Sequence, residues 1–250
     1  MQIRLSIVIP AFDEAGRLPP SLERIGSFFA DNPNWLPAEI IVVDDGSSDG
    51  TAEAARAAKL PNEIDLRIVN HCKNIGKGAA IRTGFGLSVG KWVLLTDADL
   101  STPIEEFPSL ASTAKDGGVA IGSRAVHRRL VEVRQPRHRD FMGRTFNLIV
   151  RTLGLSKIHD TQCGFKLFPG NLARDLAAVQ RLDGFAFDVE LLVIARSWGY
   201  LIHEVGVRWR HIEASRVLAV RHSAQMLRDL LRIWWWQRFG ALPQQTTDSQ

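Results

Sequence analysis

Cysteine is scarce: Cys72 and Cys163 are the only two in 250 residues, too few for a disulfide framework and without metal-ligand spacing. A reducing compartment is the simpler setting, and Cys163 reads as a small core residue rather than a nucleophile. Long apolar runs are missing as well. Arg151, Arg196 and Arg232 interrupt the best candidates, so nothing approaches the roughly 18–20 residues that cross a bilayer. The opening MQIRLSIVIPAFDE holds only a short apolar run that meets Pro10, Asp13 and Glu14, which fits a first buried strand and not a signal peptide. No internal repeat or linker divides the chain. With 45% hydrophobic residues it can bury a sizeable core, and a soluble globular enzyme is the default class.

A large net charge is also lacking, but the distribution is uneven. The total is +4, while residues 124–151 carry +6, residues 208–238 carry +5 and the remainder carries −7. A basic second half behind an acidic first half points to a partner bearing phosphate: a nucleic acid, a phospholipid or a phosphorylated metabolite.

What is present is an alternation of strands and helices. LSIVI (5–9) and IIVV (40–43) are β-branched runs that end in Pro10 and in DDGSSDGT, as buried parallel strands do. Between them Leu22, Ile25, Phe28 and Phe29 fall at helical spacing. Ser48 or Asp49 can cap a helix through TAEAARAAK, and LRIVN supplies a third strand. GKGAAIRTGFGLSVG reads as a helix ending before Gly90, then KWVLLT as a strand. The pattern predicts a mostly parallel sheet with helices on both faces, a Rossmann-like half. Beyond it we expect the strand VAIGS (119–123), an Arg-rich loop to residue 140, and a helix through FMGRTFNLIVRTLG. The segment DTQCGFKLF, a helix near 171–180, the helix FDVELLVIARSWG and the strand LIHEVGV follow. A last amphipathic helix from about Ser215 to Trp236 sets Val217, Val220, Ala224, Leu227, Leu231 and Trp234 on one face and Arg221, Arg228 and Arg232 on another. The expected organisation is a domain over 1–213, the basic helix with its Trp cluster over 214–240, and a disordered tail over 241–250.

In an open parallel sheet, ligands sit outside the carboxyl ends of the strands. Four such ends are polar here: residues 10–14, 44–49, 70–77 and 97–101. Asp97 and Asp99 flank Ala98; in an extended segment both carboxylates point one way and suit Mg²⁺ or Mn²⁺, which take further ligands from water and a substrate diphosphate. An ordinary acidic loop has the same sequence. Asp44 and Asp45 serve as turn formers or as acceptors for a nucleotide base or ribose. Asn74 and Lys77 in NIGKG resemble a phosphate cradle, without the spacing of a P-loop. Arg124 directly follows VAIGS at the same sheet edge, and with Arg139 it reads as a guanidinium grip on phosphate; Arg128, Arg129 and Arg137 read as surface charge. Asp188 and Glu190 open an apolar helix, where acids complement the dipole or serve a site.

Taken in order, LSIVIPAFDE, EIIVVDDGSSDGT, KNIGKGAAIRTG, TDADLSTP, VAIGSR, DTQCGFKLF and FAFDVELL resemble the family 2 glycosyltransferases of the GT-A fold over residues 5 to about 213. DTQCGFKLF and AFDVELL resemble the dolichyl-phosphate β-glucosyltransferase branch of the polyprenyl-phosphate enzymes in particular. The resemblance implies an inverting, metal-dependent hexosyltransferase that moves glucose from UDP-glucose to a dolichyl or undecaprenyl phosphate. Pro10, Phe12, Glu14, Asp44, Asp45, Lys77, Asp97 and Ala98 would line the donor pocket, and Asp97 and Asp99 would hold Mg²⁺ or Mn²⁺ on the diphosphate. Arg124 and Arg139 would hold the acceptor phosphate, and Asp188, with Glu190 nearby, would stand close to the sugar or acceptor. Ser101 occupies a place where mannosyl relatives carry a glutamine ligand. The implied location is peripheral, on the cytoplasmic side of a membrane. Trp234, Trp235 and Trp236 beside Arg232 and Arg238 would then rest at an anionic bilayer, or pack against the domain or a membrane-protein partner. Other readings keep the fold with a different nucleotide sugar (GDP-mannose, UDP-GlcNAc) or a non-lipid acceptor. A nucleic-acid-binding module would leave the DAD and GSR segments unexplained, so no nucleic-acid partner is expected.

Overall fold

The computed structural model describes residues 2–127, 129, 131–133, 150, 155, 158–210 and 219–245, with backbone alone for 131–133 and 219–223. A seven-stranded sheet runs in the order β3-β2-β1-β4-β7-β5-β8, built from β1 (Leu5–Ala11), β2 (Ala38–Asp44), β3 (Ile64–Asn70), β4 (Trp92–Leu95), β5 (Val119–Ser123), β7 (Lys166–Pro169) and β8 (Ile202–Gly206). β3, β2, β1 and β4 are parallel, the expected Rossmann-like half. β1 and β2 are buried along their whole length, which is why they read as unbroken apolar runs.

Alternating residues feed two cores. Val8, Ile41, Val43 and Leu95 face α3 (Lys77–Leu87), α5 (Gly170–Val179), α6 (Phe187–Ser197) and part of α7 (Ala219–Arg238). Ile7, Ile9, Ile40, Val42 and Leu94 face α1 (Leu18–Asp31), the short α2 (Thr51–Arg56) and α4 (Phe107–Thr113).

The second half departs from expectation in several places. β7, inside DTQCGFKLF, inserts between β4 and β5 and is antiparallel to both. The Arg-rich stretch holds a short strand, β6 (Val131–Val133), paired in a second sheet with β9 (Trp209–Arg210). The tail keeps contacts as far as Gln245: Trp198 Nε1 donates to Pro243 O, Arg181 Nη1 to Ala241 O, and Gln245 Nε2 to the Tyr200 hydroxyl. Disorder from residue 241 onward is therefore corrected for 241–245.

On α7, Leu230, Ile233 and Trp236 are buried in the core, whereas Leu227, Leu231 and Trp234, which the spacing groups on one face, are about half exposed or more. The helix carries apolar residues on two sides, and the side with three-residue spacing wins the core. The helix expected over 141–154, together with Arg139, Ser215 and Val217, lies outside the described residues.

Candidate active site

The ends of β1 and β2 are tied together by the polar residues that follow them. Asp45 N donates to Ala11 O, Asp13 N to Ser47 Oγ, Glu14 N to Thr51 Oγ1 and Ala15 N to Asp49 Oδ2. Ser47, Asp49 and Thr51 of DDGSSDGT thus satisfy loop amides that have no strand partner. Buried Asp45 accepts from Ile75 N at 3.1 Å and Gly76 N at 2.8 Å and meets His71 Nδ1 at 2.7 Å, which fixes the next loop. Asp44, also buried, accepts from Ser47 N. Pro10 is buried opposite Val43, while Phe12 and Ile75 stand 42% and 45% exposed beside these acids.

The NIGKG loop is no phosphate cradle. The amides of Gly78 and Ala79, at the first turn of α3, donate to the carbonyl of Asp183. Gly76 and Gly78 are required by that approach: a Cβ on either would fall 2.3 or 2.4 Å from the carbonyl oxygens of Asp183 or Leu182. What the loop delivers is Lys77, whose Nζ meets Asp97 Oδ1 at 2.5 Å.

Asp97 and Asp99 do not sit in an extended segment. Leu100 N donates to Asp97 O, Leu100 has φ 47°, and Ser101 N donates to Asp99 Oδ1, so the chain makes a tight turn after β4. Ala98 turns its side chain into the core, leaving only its backbone to face a donor. Gly164 packs against Asp97 so closely that a Cβ would lie 2.1 Å from Oδ2. Burial alone would raise the Asp97 carboxyl, but Lys77, by charge and hydrogen bond, and the charges of Lys166 and Arg124 carry it below the usual aspartate value. Glu14 moves the opposite way, pushed up by burial and by the charges of Asp99 and Asp97 although Arg17 opposes this.

Two further cations act on Asp97, each paired with a buried carboxylate. Arg124 forms a fork with buried Asp160, Nε to Oδ2 and Nη2 to Oδ1, both at 2.7 Å, and its guanidinium lies 5.4 Å from the centre of the Trp209 ring. Asp160 also accepts from the backbone of Arg124 and Gln162. Glu204 on β8 in turn holds the amides of His159 and Asp160. Lys166 is fully buried and donates at 2.5 Å to both Cys163 O and Asp188 Oδ1. Burial raises the Asp188 carboxyl, with Lys166 and Lys77 pulling against it. Burial pushes the Cys163 thiol up to about 11, which suits an inert core residue.

Glu14, Lys77, Asp97, Asp99, Arg124 and Asp188 therefore share one electrostatic neighbourhood. Glu190 does not join it: its carboxylate accepts from the amides of Arg181 and Leu182 and anchors that loop. Asp160, Gly164 and Lys166 were overlooked as individuals, although all three lie in DTQCGFKLF; a lysine inside an apolar run was the available signal. Among the described residues, no group of three His, Cys, Asp or Glu side chains converges as a metal site. Two carboxylates on one turn, Asp97 and Asp99, nevertheless suit Mg²⁺ or Mn²⁺, hard cations that leave coordination places to water and substrate phosphates.

Known proteins share both the sequence and the fold. Dolichyl-phosphate beta-glucosyltransferase ALG5C of Trichomonas vaginalis is 36% identical over 96% of this chain and 73% of its own length. The dolichyl-phosphate beta-glucosyltransferases of Drosophila melanogaster and Homo sapiens are 35% and 34% identical, over 93% and 92% of this chain and 74% of each relative. Among solved structures, mannosyl-3-phosphoglycerate synthase from Rubrobacter xylanophilus superposes with a TM-score of 0.67 at 17% identity, covering 99% of this chain and 78% of its own. Glucosyl-3-phosphoglycerate synthase of M. tuberculosis gives 0.65 at 21% identity over 92% and 80%. These neighbours share the GT-A fold. The family profile of Glycosyl transferase family 2 matches residues 6–176. The chain belongs to glycosyltransferase family 2.

Proposed function

We propose that this chain is an inverting glucosyltransferase that moves glucose from UDP-glucose to a polyprenyl phosphate. The carrying observation is the gathering of both signs of charge at one site: Asp97, Asp99 and Glu14 at the DAD turn, with Lys77, Lys166 and Arg124 close enough to act on Asp97. Such a site suits two phosphorylated substrates, one bound through a cation and one through a guanidinium. The names of the relatives, dolichyl-phosphate beta-glucosyltransferases, favour a lipid phosphate as the second.

Asp97 and Asp99 would hold Mg²⁺ or Mn²⁺, which when bound supplies positive charge to the departing diphosphate. Exposed Phe12 and Ile75 offer apolar contact to the nucleoside, with Asp44 alongside. Lys77 keeps Asp97 ionised and oriented. Arg124 meets the acceptor phosphate through the end of its guanidinium outside the Asp160 fork. Nη1 and the second N–H of Nη2 can grip it together without breaking that fork. Arg139 is proposed to add a second guanidinium.

A phosphate monoester is already anionic at pH 7, so it attacks without a general base. The pairing of Asp160 with Arg124 and of Asp188 with Lys166 suits a reaction that asks neither acid to take a proton. One acceptor oxygen bonds to the anomeric carbon as its bond to the diphosphate breaks, so the configuration inverts. The site's part is positioning and charge neutralisation.

The test is incubation with UDP-glucose, GDP-mannose or UDP-GlcNAc, with Mg²⁺ or Mn²⁺ and a short polyprenyl phosphate, followed by mass spectrometry of the lipid products. A hexosyl lipid made from UDP-glucose is expected. Absence of sugar in lipid with every donor, or transfer only to 3-phosphoglycerate in a parallel arm, would overturn the reading.

A further inference from the structure

The last helix shows an apolar face that the core formed by the described residues leaves uncovered. α7 is held down by Leu230, Ile233 and Trp236, with Trp236 flanked by Arg181 and Arg232 at 5.0 and 5.4 Å. At 100° per residue, Leu227, Leu231, Trp234 and Trp235 fall on the opposite side, within about a quarter turn. They are 48%, 60%, 48% and 52% exposed, and Phe239 continues the patch beyond the helix at 63%. Arg228 and Arg232 line one edge, and Arg238 projects within the patch. The only acid from Ala224 to Gly240 is Asp229, which is buried beneath the arginines and paired with Arg232.

We propose that this face docks on an anionic bilayer, with Leu231, Trp234 and Trp235 entering the headgroup region and Arg228, Arg232 and Arg238 meeting lipid phosphates. An amphipathic helix with aromatic and aliphatic groups between arginines is the composition that lies in a membrane interface. A second copy of the chain is the poorer occupant. A twofold contact would set the same arginines on both sides, with no exposed acid on the helix to meet them. The docking also places the helix beside the site. Gly184 lies against Gln225 of α7, and its neighbours Leu182 and Asp183 present the carbonyls that abut Gly76 and Gly78 on either side of Lys77. α7 would thus stand between such a bilayer and the loop that carries a site residue. The choice of lipid as occupant rests in part on the polyprenyl-phosphate reading, and the experiment separates the two.

The full chain is floated with vesicles of phosphatidylcholine, alone or with one third phosphatidylglycerol, and no prenyl phosphate. Binding to the anionic vesicles is expected. The double variant Leu231→Glu, Trp234→Glu should bind them less by roughly tenfold or more, while Leu201→Glu, a control at an exposed leucine elsewhere, should bind normally. Circular dichroism checks that the variants keep their helices. Equal flotation of wild type and double variant, or no flotation of the wild type, would overturn the proposal. So would a wild-type dimer in light scattering that the double variant splits. Transfer to a soluble short-chain acceptor is measured without vesicles. Flotation without transfer supports the docking face and removes the reaction; transfer without flotation does the reverse.

Discussion

Gly164 sits against Asp97 with no room for a side chain: a Cβ would lie 2.1 Å from Oδ2 and 2.5 Å from Cγ. The DTQCGFKLF loop therefore sets the position of the first DAD carboxylate from behind. Gly164→Ala must push Asp97 aside or shift the loop. Displacement of a positioning group by about 1 Å costs on the order of 100-fold in rate. We expect transfer to fall by about that factor while circular dichroism is unchanged. A kcat within a factor of two of wild type, the glycine having found room, would remove Gly164 from the argument.

Asp99 and Arg124 belong to opposite sides of the proposed reaction and should fail differently. Asp99→Ala is expected to abolish Mn²⁺ binding seen by electron paramagnetic resonance and to weaken UDP binding in calorimetry. Arg124→Lys keeps the charge but cannot form both arms of the Asp160 fork. It should leave UDP binding intact and raise KM for the prenyl phosphate or lower kcat. Weakened UDP binding in Arg124→Lys, with acceptor kinetics unchanged, would reverse the assignment of the two sides.

The same residues show what was legible in the sequence. β1, β2 and α1 are readable because each buried strand is one apolar run and the helix between them one periodic stripe. The antiparallel insertion of β7 was not, since pairing with β4 and β5 joins segments over 40 residues apart and leaves no local mark. DAD reads from the sequence as a candidate site, but the turn that shapes it depends on a positive φ at Leu100, a residue type that gives no warning of one. On α7, Leu227, Leu231 and Trp234 were as good a core stripe as Leu230, Ile233 and Trp236. Periodicity shows that a helix has an apolar face; only the surface it meets decides which face is covered.

Asp160 organises Arg124, so its removal should appear in stability as well as in catalysis. Burial opposes its charge, but Arg124 outweighs this and holds the carboxyl below the ordinary aspartate value. Asp160→Asn would turn an amide N–H toward a donor, leaving Arg124 poorly paired, at a cost of about 3 kcal/mol. A depressed folded-state value makes the wild-type advantage complete above the unfolded pKa of about 3.9 and lost as pH falls through the folded value. Urea unfolding should therefore show the full gap at pH 7 and a narrower one below about pH 4. A gap that stays constant or widens in acid would contradict the ion-pair account.

Lys166 and Asp188 make the sharpest energetic case, because both are buried and each is the other's charge partner. Lys166→Met strands the Asp188 carboxylate and should cost about 3–5 kcal/mol at pH 8. Asp188 is already raised by burial, and losing the ammonium raises it further. An acid with a raised folded value loses stability as pH rises, so the variant should become less impaired as pH falls and Asp188 takes up its proton. Adding Asp188→Leu removes the stranded charge and should recover part of the loss, with a coupling above about 1 kcal/mol in the double-mutant cycle. Because Asp188 also acts on Lys77 and Asp97, the double variant should stay folded yet transfer poorly. Normal transfer in that folded double variant would make the pair a packing feature only. Additive losses with no pH dependence would mean that the two charges do not support each other.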